Sequence, residues 1–173
     1  SDFRSPVPIP KVWEIPVHTP DVLAASDAVE AYIEAYRFSG KEEYLQEAVR
    51  WARRGLPFVF VWNTEDFKFM RYGSIPVFGA TWYQGSWFGR VVQWNGLRFA
   101  YALLKLSEYD RSRDWRKIAD GLTRSAMYQQ YQDGEHVALW PDGQSTLTGK
   151  KIPWIFSPQW ILKMVYAQLG CDP

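Results

Sequence analysis

Apolar residues recur at helical spacing in three blocks of this chain. In the first block Val22, Ala25, Val29, Tyr32, Ile33 and Tyr36 share one face. Thr19 stands as the expected N-cap, with Pro20 at the first helical position and Asp21 in the first turn. Ser39-Gly40 ends the helix. After this short turn a second helix, about Glu42 to Arg54, puts Leu45, Ala48, Trp51 and Ala52 on one side, with Gly55 as its stop. Two helices joined this tightly form an antiparallel hairpin. The rhythm returns from Trp87 to about Glu108, through Val91, Trp94, Leu97, Tyr101 and Leu104. A charged turn at 110–113 leads into a helix from about Asp114 to Tyr131, with Trp115, Ile118, Leu122 and Ala126 inward. A third unit opens at Ser157-Pro158 and runs through Ile161, Leu162, Val165 and Leu169 to Gly170.

The units start near residues 21, 87 and 157, a period of roughly 66–70 residues, and their ends echo one another: EAYRFSG, FAYALLKLS, MVYAQLG. The expected fold class is mainly α. Repeated antiparallel hairpins form a single domain over 21–173, preceded by a Pro-rich extended arm over 1–20. Turns within hairpins are short, whereas the linkers 57–86 and 132–156 are long. Hairpins laid side by side then gather both long linkers at one end. Loops of that length within a compact domain are usually functional. Extended pieces at Phe67–Tyr72 and His136–Trp140 are expected to pair there as short β-ribbons.

Composition gives that end its chemistry. Ten each of Trp, Tyr and Phe make 17% of the chain aromatic, more than a core of this size needs. Trp62, Trp82, Trp140 and Trp154 lie in the linkers, and Trp87 and Trp160 open the helices that follow them. Around them stand Glu65, Asp66, Asp133, Glu135, His136 and Asp142, with the amides Gln84, Asn95, Gln144 and Gln159. Such a mixture suits a carbohydrate: the apolar face of a sugar ring stacks on an indole while its hydroxyls take polar partners. Trp82, Tyr83, Gln84, Trp87, His136, Trp140, Trp154, Gln159 and Trp160 are the candidate substrate contacts. Hydrolysis of a glycosidic bond needs two carboxyl groups straddling it, one of them a proton donor with a raised pKa. Asp133, Glu135 and Asp142 are the catalytic candidates, because Trp140 and Val137 can desolvate one of them. Trp94, two turns beyond Trp87, is expected in the core.

The same residues also fit plainer roles. Aromatic residues at helix starts seal a core, and the Asp-Gly pairs at 133–134 and 142–143 make turns. Gly89 and Gly96, seven apart, would allow close helix packing. Other chemistries fail on spacing. The two histidines, His18 and His136, form no metal motif, and GQSTLTGKK departs from a phosphate-binding loop where Lys151 replaces the required hydroxyl residue. No cofactor is expected. A net charge of +1 disfavours nucleic acid, and the apolar run Leu56–Trp62 is too short to span a membrane.

Hairpin rhythm and phrases such as SGKEEYLQEAVRWARRGL and SPQWILKMVYAQLG resemble the six-hairpin (α/α) toroids of glycoside hydrolases and some polysaccharide lyases, over residues 20–170. The resemblance implies a carbohydrate-active domain with a sugar as its ligand, and a glycoside hydrolase where it is catalytic. A lyase is the alternative, with His136 or a tyrosine as base and Asn95 neutralising a uronate. A non-catalytic helical-repeat module or a scaffold within a larger enzyme is the other. A full toroid has twelve helices and about five are readable here, which implies self-association or the remainder of a longer chain as a further partner.

Overall fold

The computed structural model describes residues 20–79, 86–152 and 155–171. Expectations for the arm over 1–19, and for Trp82, Tyr83, Gln84 and Trp154, fall outside those residues.

Helix α1 (Val22–Ser39) starts later than the sequence pattern places it, because Asp21 is the cap. Its carboxylate accepts hydrogen bonds from the backbone N–H of Leu23 at 2.7 Å and of Ala24 at 3.4 Å. Asp21 itself is extended and bridges to Val77, while the Pro20 carbonyl accepts from the Phe78 N–H, so linker one returns to the start of α1. At the other end Gly40 adopts φ 68° and its N–H reaches the Tyr36 carbonyl.

Helix α2 (Glu42–Gly55) does not stop at a left-handed glycine. Gly55 has φ −76° and leads into a 3-10 turn, Leu56–Phe58. Its lack of a side chain serves packing instead: a Cβ there would lie 2.3 Å from the Phe99 ring.

Helix α3 (Gln93–Leu106) begins well after Trp87, because the intervening residues are taken by a strand. Gly89 turns the chain at φ 78°, and β1 (Arg90–Val91) pairs antiparallel with Gln144–Ser145 of linker two. Gly89 is therefore a turn residue, not part of a helix face. Helix α4 (Trp115–Tyr128) is capped by Asp114, which accepts from the Lys117 N–H at 3.0 Å. Helix α5 (Gln159–Gln168) follows Pro158 without a side-chain cap, so Ser157 does not fill the capping role expected of it.

The linkers do contribute β-ribbons, though from other residues than expected. β2 (Trp140–Pro141) pairs antiparallel with β4 (Ile155–Phe156), and the partner of β1 is β3 (Gln144–Ser145). Phe67–Tyr72 is folded into turns.

Side-chain contacts fix the helix directions. Asp27 and Glu30 of α1 meet Arg98 and Lys105 of α3, and Tyr36 meets Tyr109 beyond the α3 C-terminus, so α1 and α3 run parallel. Arg98 and Tyr101 lie against Trp160 and Lys163, so α5 runs parallel to both. In α4, Arg116 and Asp120 meet Gln168 at the far end of α5, which makes α4 antiparallel to it. The result is a two-layer array with α1, α3 and α5 in one layer and α2 and α4 in the other. The core runs between them through Ile33, Ala48, Leu97, Phe99, Leu103, Trp115, Leu122 and Met164. The parallel layer presents three helix N-termini and the two ribbons at one end, while the 63–72 turns of linker one lie along α4.

Candidate functional site

At that end, chain geometry forces a carboxylate beside a helix start. Asp142 lies between β2 and β3, followed by Gly143, where a Cβ would sit 2.8 Å from the Val91 carbonyl. Only a glycine lets linker two pass this close to β1. Asp142 is thereby held over the first turn of α3, where the Trp94 indole Nε1 donates to its Oδ1 at 3.0 Å. Among the described residues this is the carboxyl's one hydrogen-bond partner. Asp142 is 8% exposed. Burial pushes its pKa above the ordinary carboxylate value, and the indole hydrogen bond opposes that rise only in part.

Three more buried polar residues, on α3 and on both linkers, carry unpaired atoms. Asn95, wholly buried in the first turn of α3, has neither amide atom paired, and Ser74 Oγ and Gln144 Oε1 also have no partner among the described residues. Ser74 sits against Gly96, where a Cβ would approach its Oγ to 2.7 Å. Gly96 thus has the close-packing role expected of it.

From Trp94 a polar stripe continues down the parallel layer. Trp94, Arg98, Tyr101 and Lys105 recur at helical spacing on α3. Arg98 forms an ion pair with Asp27 on α1 and lies 5.3 Å from the Trp160 ring on α5. Lys163 lies 3.9 Å over Tyr101 and 5.4 Å over Trp160. Lys105 Nζ is 3.9 Å from Glu30, whose carboxyl is raised by burial against the opposing pull of Lys105, Arg98 and Lys163. Of these residues the sequence reading singled out Trp160 alone as a ligand contact. Asp27 and Glu30 carry no signal in the sequence, because nothing local reveals that α1 lies beside α3.

The remaining candidates separate. Trp87 is 1% exposed and packs with Val77, Val92 and Ile152, while Trp94, expected in the core, is half-buried against the same cluster. Trp140 is buried and its indole donates to the Ala126 carbonyl at 2.9 Å, which ties linker two to the end of α4. Asp133 and Glu135 are exposed on the 131–139 loop, and no hydrogen bond or ion pair among the described residues joins them to Asp142. His136 stands edge-on to Tyr131 at 5.6 Å. Lys151 closes that loop, with its Nζ 4.3 Å from the Tyr131 ring and donating to the Gln130 carbonyl. Burial lowers the Lys151 pKa, and Asp133 pulls it back upward. Gln159 is exposed at the start of α5. Among the described residues no group of three or more His, Cys, Asp or Glu is placed to hold a metal ion.

No protein-family model matches the chain, and no curated protein does. Solved structures do. One is a UGL variant with dGlcA-Glc-Rha-Glc: TM-score 0.61, 16% identity, covering 92% of this chain and 42% of that one. Another is the unsaturated glucuronyl hydrolase of Bacillus sp. GL1: TM-score 0.55, 16% identity, covering 88% of this chain and 40% of that one. The fold is toroid-like. The hairpin array expected from the sequence is thus found in carbohydrate-active hydrolases, and this chain spans less than half the length of those it matches. At this identity the likeness concerns the fold alone.

Proposed function

We propose that this chain is a glycoside hydrolase-like domain that binds an acidic saccharide at its linker end, with Asp142 as proton donor. The carrying observation is the Asp142 carboxyl itself: buried, raised in pKa, and oriented by the Trp94 indole at the N-terminus of α3. A general acid must hold its proton near neutral pH and yield it to the leaving oxygen, and burial favours the protonated form. Asp133 or Glu135 on the neighbouring loop is the second carboxyl, assisting water or stabilising the developing charge. Trp160 offers a ring face, and Arg98 and Lys163 beside it offer cations to a sugar carboxylate. The UGL structure with dGlcA-Glc-Rha-Glc supports an acidic oligosaccharide as the first ligand to test.

A non-catalytic reading is favoured by the exposure of Asp133 and Glu135 on their loop, which leaves Asp142 as the one buried carboxyl among the three candidates. In it the domain binds the glycan, and a second copy or the remainder of a longer chain completes the site. One experiment separates the two. The protein is incubated with neutral and uronate-terminated oligosaccharides, and both binding and released reducing ends are measured. The hydrolase reading expects turnover that falls about 10²–10⁴-fold in Asp142→Asn with binding retained. Binding without turnover supports the module, and no binding of any saccharide overturns both.

A further inference from the structure

Arg98 and Lys105 on the parallel layer each meet a carboxylate. The outer side of α4 is arranged differently. Where it meets the 63–72 turns of linker one, a groove of about 580 Å³ is walled by Lys68, Arg71, Arg116, Lys117 and Arg124. Among the described residues none of these five forms an ion pair. Two carboxylates line the same groove, and protein donors already engage both. Asp114 caps α4 through the Lys117 N–H, and Asp120 accepts from Gln168 Nε2 at 2.7 Å. Five cations still outnumber these two carboxylates, so the groove keeps a positive excess in a chain whose net charge is only +1.

The floor beneath these cations is built, not incidental. Tyr72 lies directly on α4 at Gly121, where a Cβ would be 2.4 Å from its ring. Ser125 Oγ donates to the Phe69 carbonyl, and the Arg71 N–H donates to Asn63 Oδ1 at 2.7 Å, which locks the turns against the helix. Tyr72 holds φ 66°, a left-handed backbone that a bulky residue adopts only when its surroundings enforce it, and such residues gather at ligand sites. Arg71 stacks 5.4 Å over the same ring, so one wall of the groove is pre-positioned.

We propose that this groove is a second binding site, for an acidic oligosaccharide held through its carboxylate or sulfate groups on the outer wall of α4. Cations without a carboxylate partner bind such anions by charge-assisted hydrogen bonds, and arginine does so in bidentate fashion. The groove has the volume of a small-ligand cleft. It is a single short groove in a chain whose net charge is only +1, which disfavours the continuous phosphate track of a nucleic acid. The choice of a saccharide rests on the function proposed above; the choice of an anion rests on the groove alone.

The test is calorimetric titration of the whole chain with four probes: an oligogalacturonate hexamer, a heparin hexasaccharide, a neutral cello-oligosaccharide and a single-stranded oligonucleotide of matched charge. We expect one or both acidic glycans to bind, the stronger of them naming carboxylate or sulfate. Their affinity should fall about tenfold between roughly 50 and 200 mM salt, as the release of a few counterions requires. The neutral sugar should not compete. Lys68→Gln/Lys117→Gln/Arg124→Gln changes three side chains that make no hydrogen bond among the described residues, and it should lose at least about tenfold in affinity with an unchanged melt. Arg71→Gln gives the same reading should the triple variant fold poorly. Unchanged affinity in a folded groove variant overturns the proposal, as does tighter binding of the oligonucleotide. Acidic-glycan binding that disappears in Arg98→Gln but survives in the groove variants places the ligand wholly at the linker end, overturning the groove while leaving the first site standing.

Discussion

Trp87 and Trp94 lie two helical turns apart in the sequence pattern, yet they occupy opposite surroundings. Trp87 is closed into a small apolar cluster with Val77, Val92 and Ile152, where linkers one and two meet. Trp94 borders that cluster but turns its indole N–H to Asp142 at the head of the polar stripe. One tryptophan holds the two linkers together and the other equips a carboxyl. Their difference shows that aromatic abundance at a loop-rich end serves two purposes, packing the linkers together and orienting a carboxyl. The comparison predicts unequal consequences for changes on its two sides.

The largest effect is expected in the apolar cluster. Trp87→Ala removes a fully buried indole and leaves a cavity that the short ribbons cannot collapse into, at a cost of roughly 3–5 kcal/mol. Urea denaturation followed by tryptophan fluorescence and by circular dichroism measures it. A loss below about 1 kcal/mol would mean that Trp87 packs loosely and that the two tryptophans differ less than their burial indicates.

A second effect separates the residues by pH. The native Asp142 carboxyl is raised above its ordinary value of 3.8, so between those two pKa values the folded chain holds a proton that the unfolded chain has released. Its stabilising contribution is present below the unfolded value and is lost as pH rises through the folded one. The difference in stability between the parent and Asp142→Asn should therefore shift against the parent across that window. Trp94→Phe removes the indole donor. The cost should be about 1.5–3 kcal/mol above the window, where the carboxyl is charged, and about 0.5–1.5 kcal/mol below it, where the carboxyl is neutral. Paired denaturation series at acid and neutral pH provide the measurement. Equal costs at the two ends would show that Asp142 does not change charge beside Trp94.

Much of the fold was legible because hairpins are local. The periodicity of α1, its end at Ser39-Gly40 and the start of α4 near Asp114 depend on residues close together in sequence, and each is where the pattern puts it or within one turn of it. The expected start of α3 at Trp87 failed for the opposite reason. Arg90–Val91 has helical spacing, but it is claimed by Gln144–Ser145, more than fifty residues away, and no local propensity reports such a partner. Gly55 does end α2, but its φ of −76° is not a left-handed cap, and its missing side chain admits Phe99 from another helix. Asp142 is a candidate in the sequence because of its aromatic, turn-rich neighbourhood, and its burial is what makes it the carboxyl of the proposed site. Its partner was not legible, since apolar spacing places Trp94 in the core unless the approach of linker two is known. The stripe through Asp27, Arg98 and Lys163 was hidden for the same reason, because it exists only once three helices from separate units run parallel.

The smallest stability effect should lie in that stripe, and it sharpens the contrast most. Arg98 pairs with Asp27 and rests against Trp160, but Arg98 and Asp27 are both partly exposed. Exposed ion pairs contribute about 0–1 kcal/mol, and a cation over an exposed ring about 0.5–1 kcal/mol. Arg98→Gln keeps the length of the side chain's first carbons and removes the charge, so its melt should change far less than that of Trp87→Ala. Binding should respond in the reverse order. A sugar carboxylate that enters beside Trp160 must displace or share the Asp27 partner of Arg98, and without the guanidinium it meets Asp27 uncompensated. Affinity for a uronate-terminated oligosaccharide should then fall about tenfold or more, while a neutral oligosaccharide of the same length is unaffected. Thermal melts and titrations on one preparation of each variant provide the comparison. An Arg98→Gln protein that melts as severely as Trp87→Ala would make Arg98 part of the structural core. One that melts normally and binds the uronate as well as the parent would remove the stripe from the site.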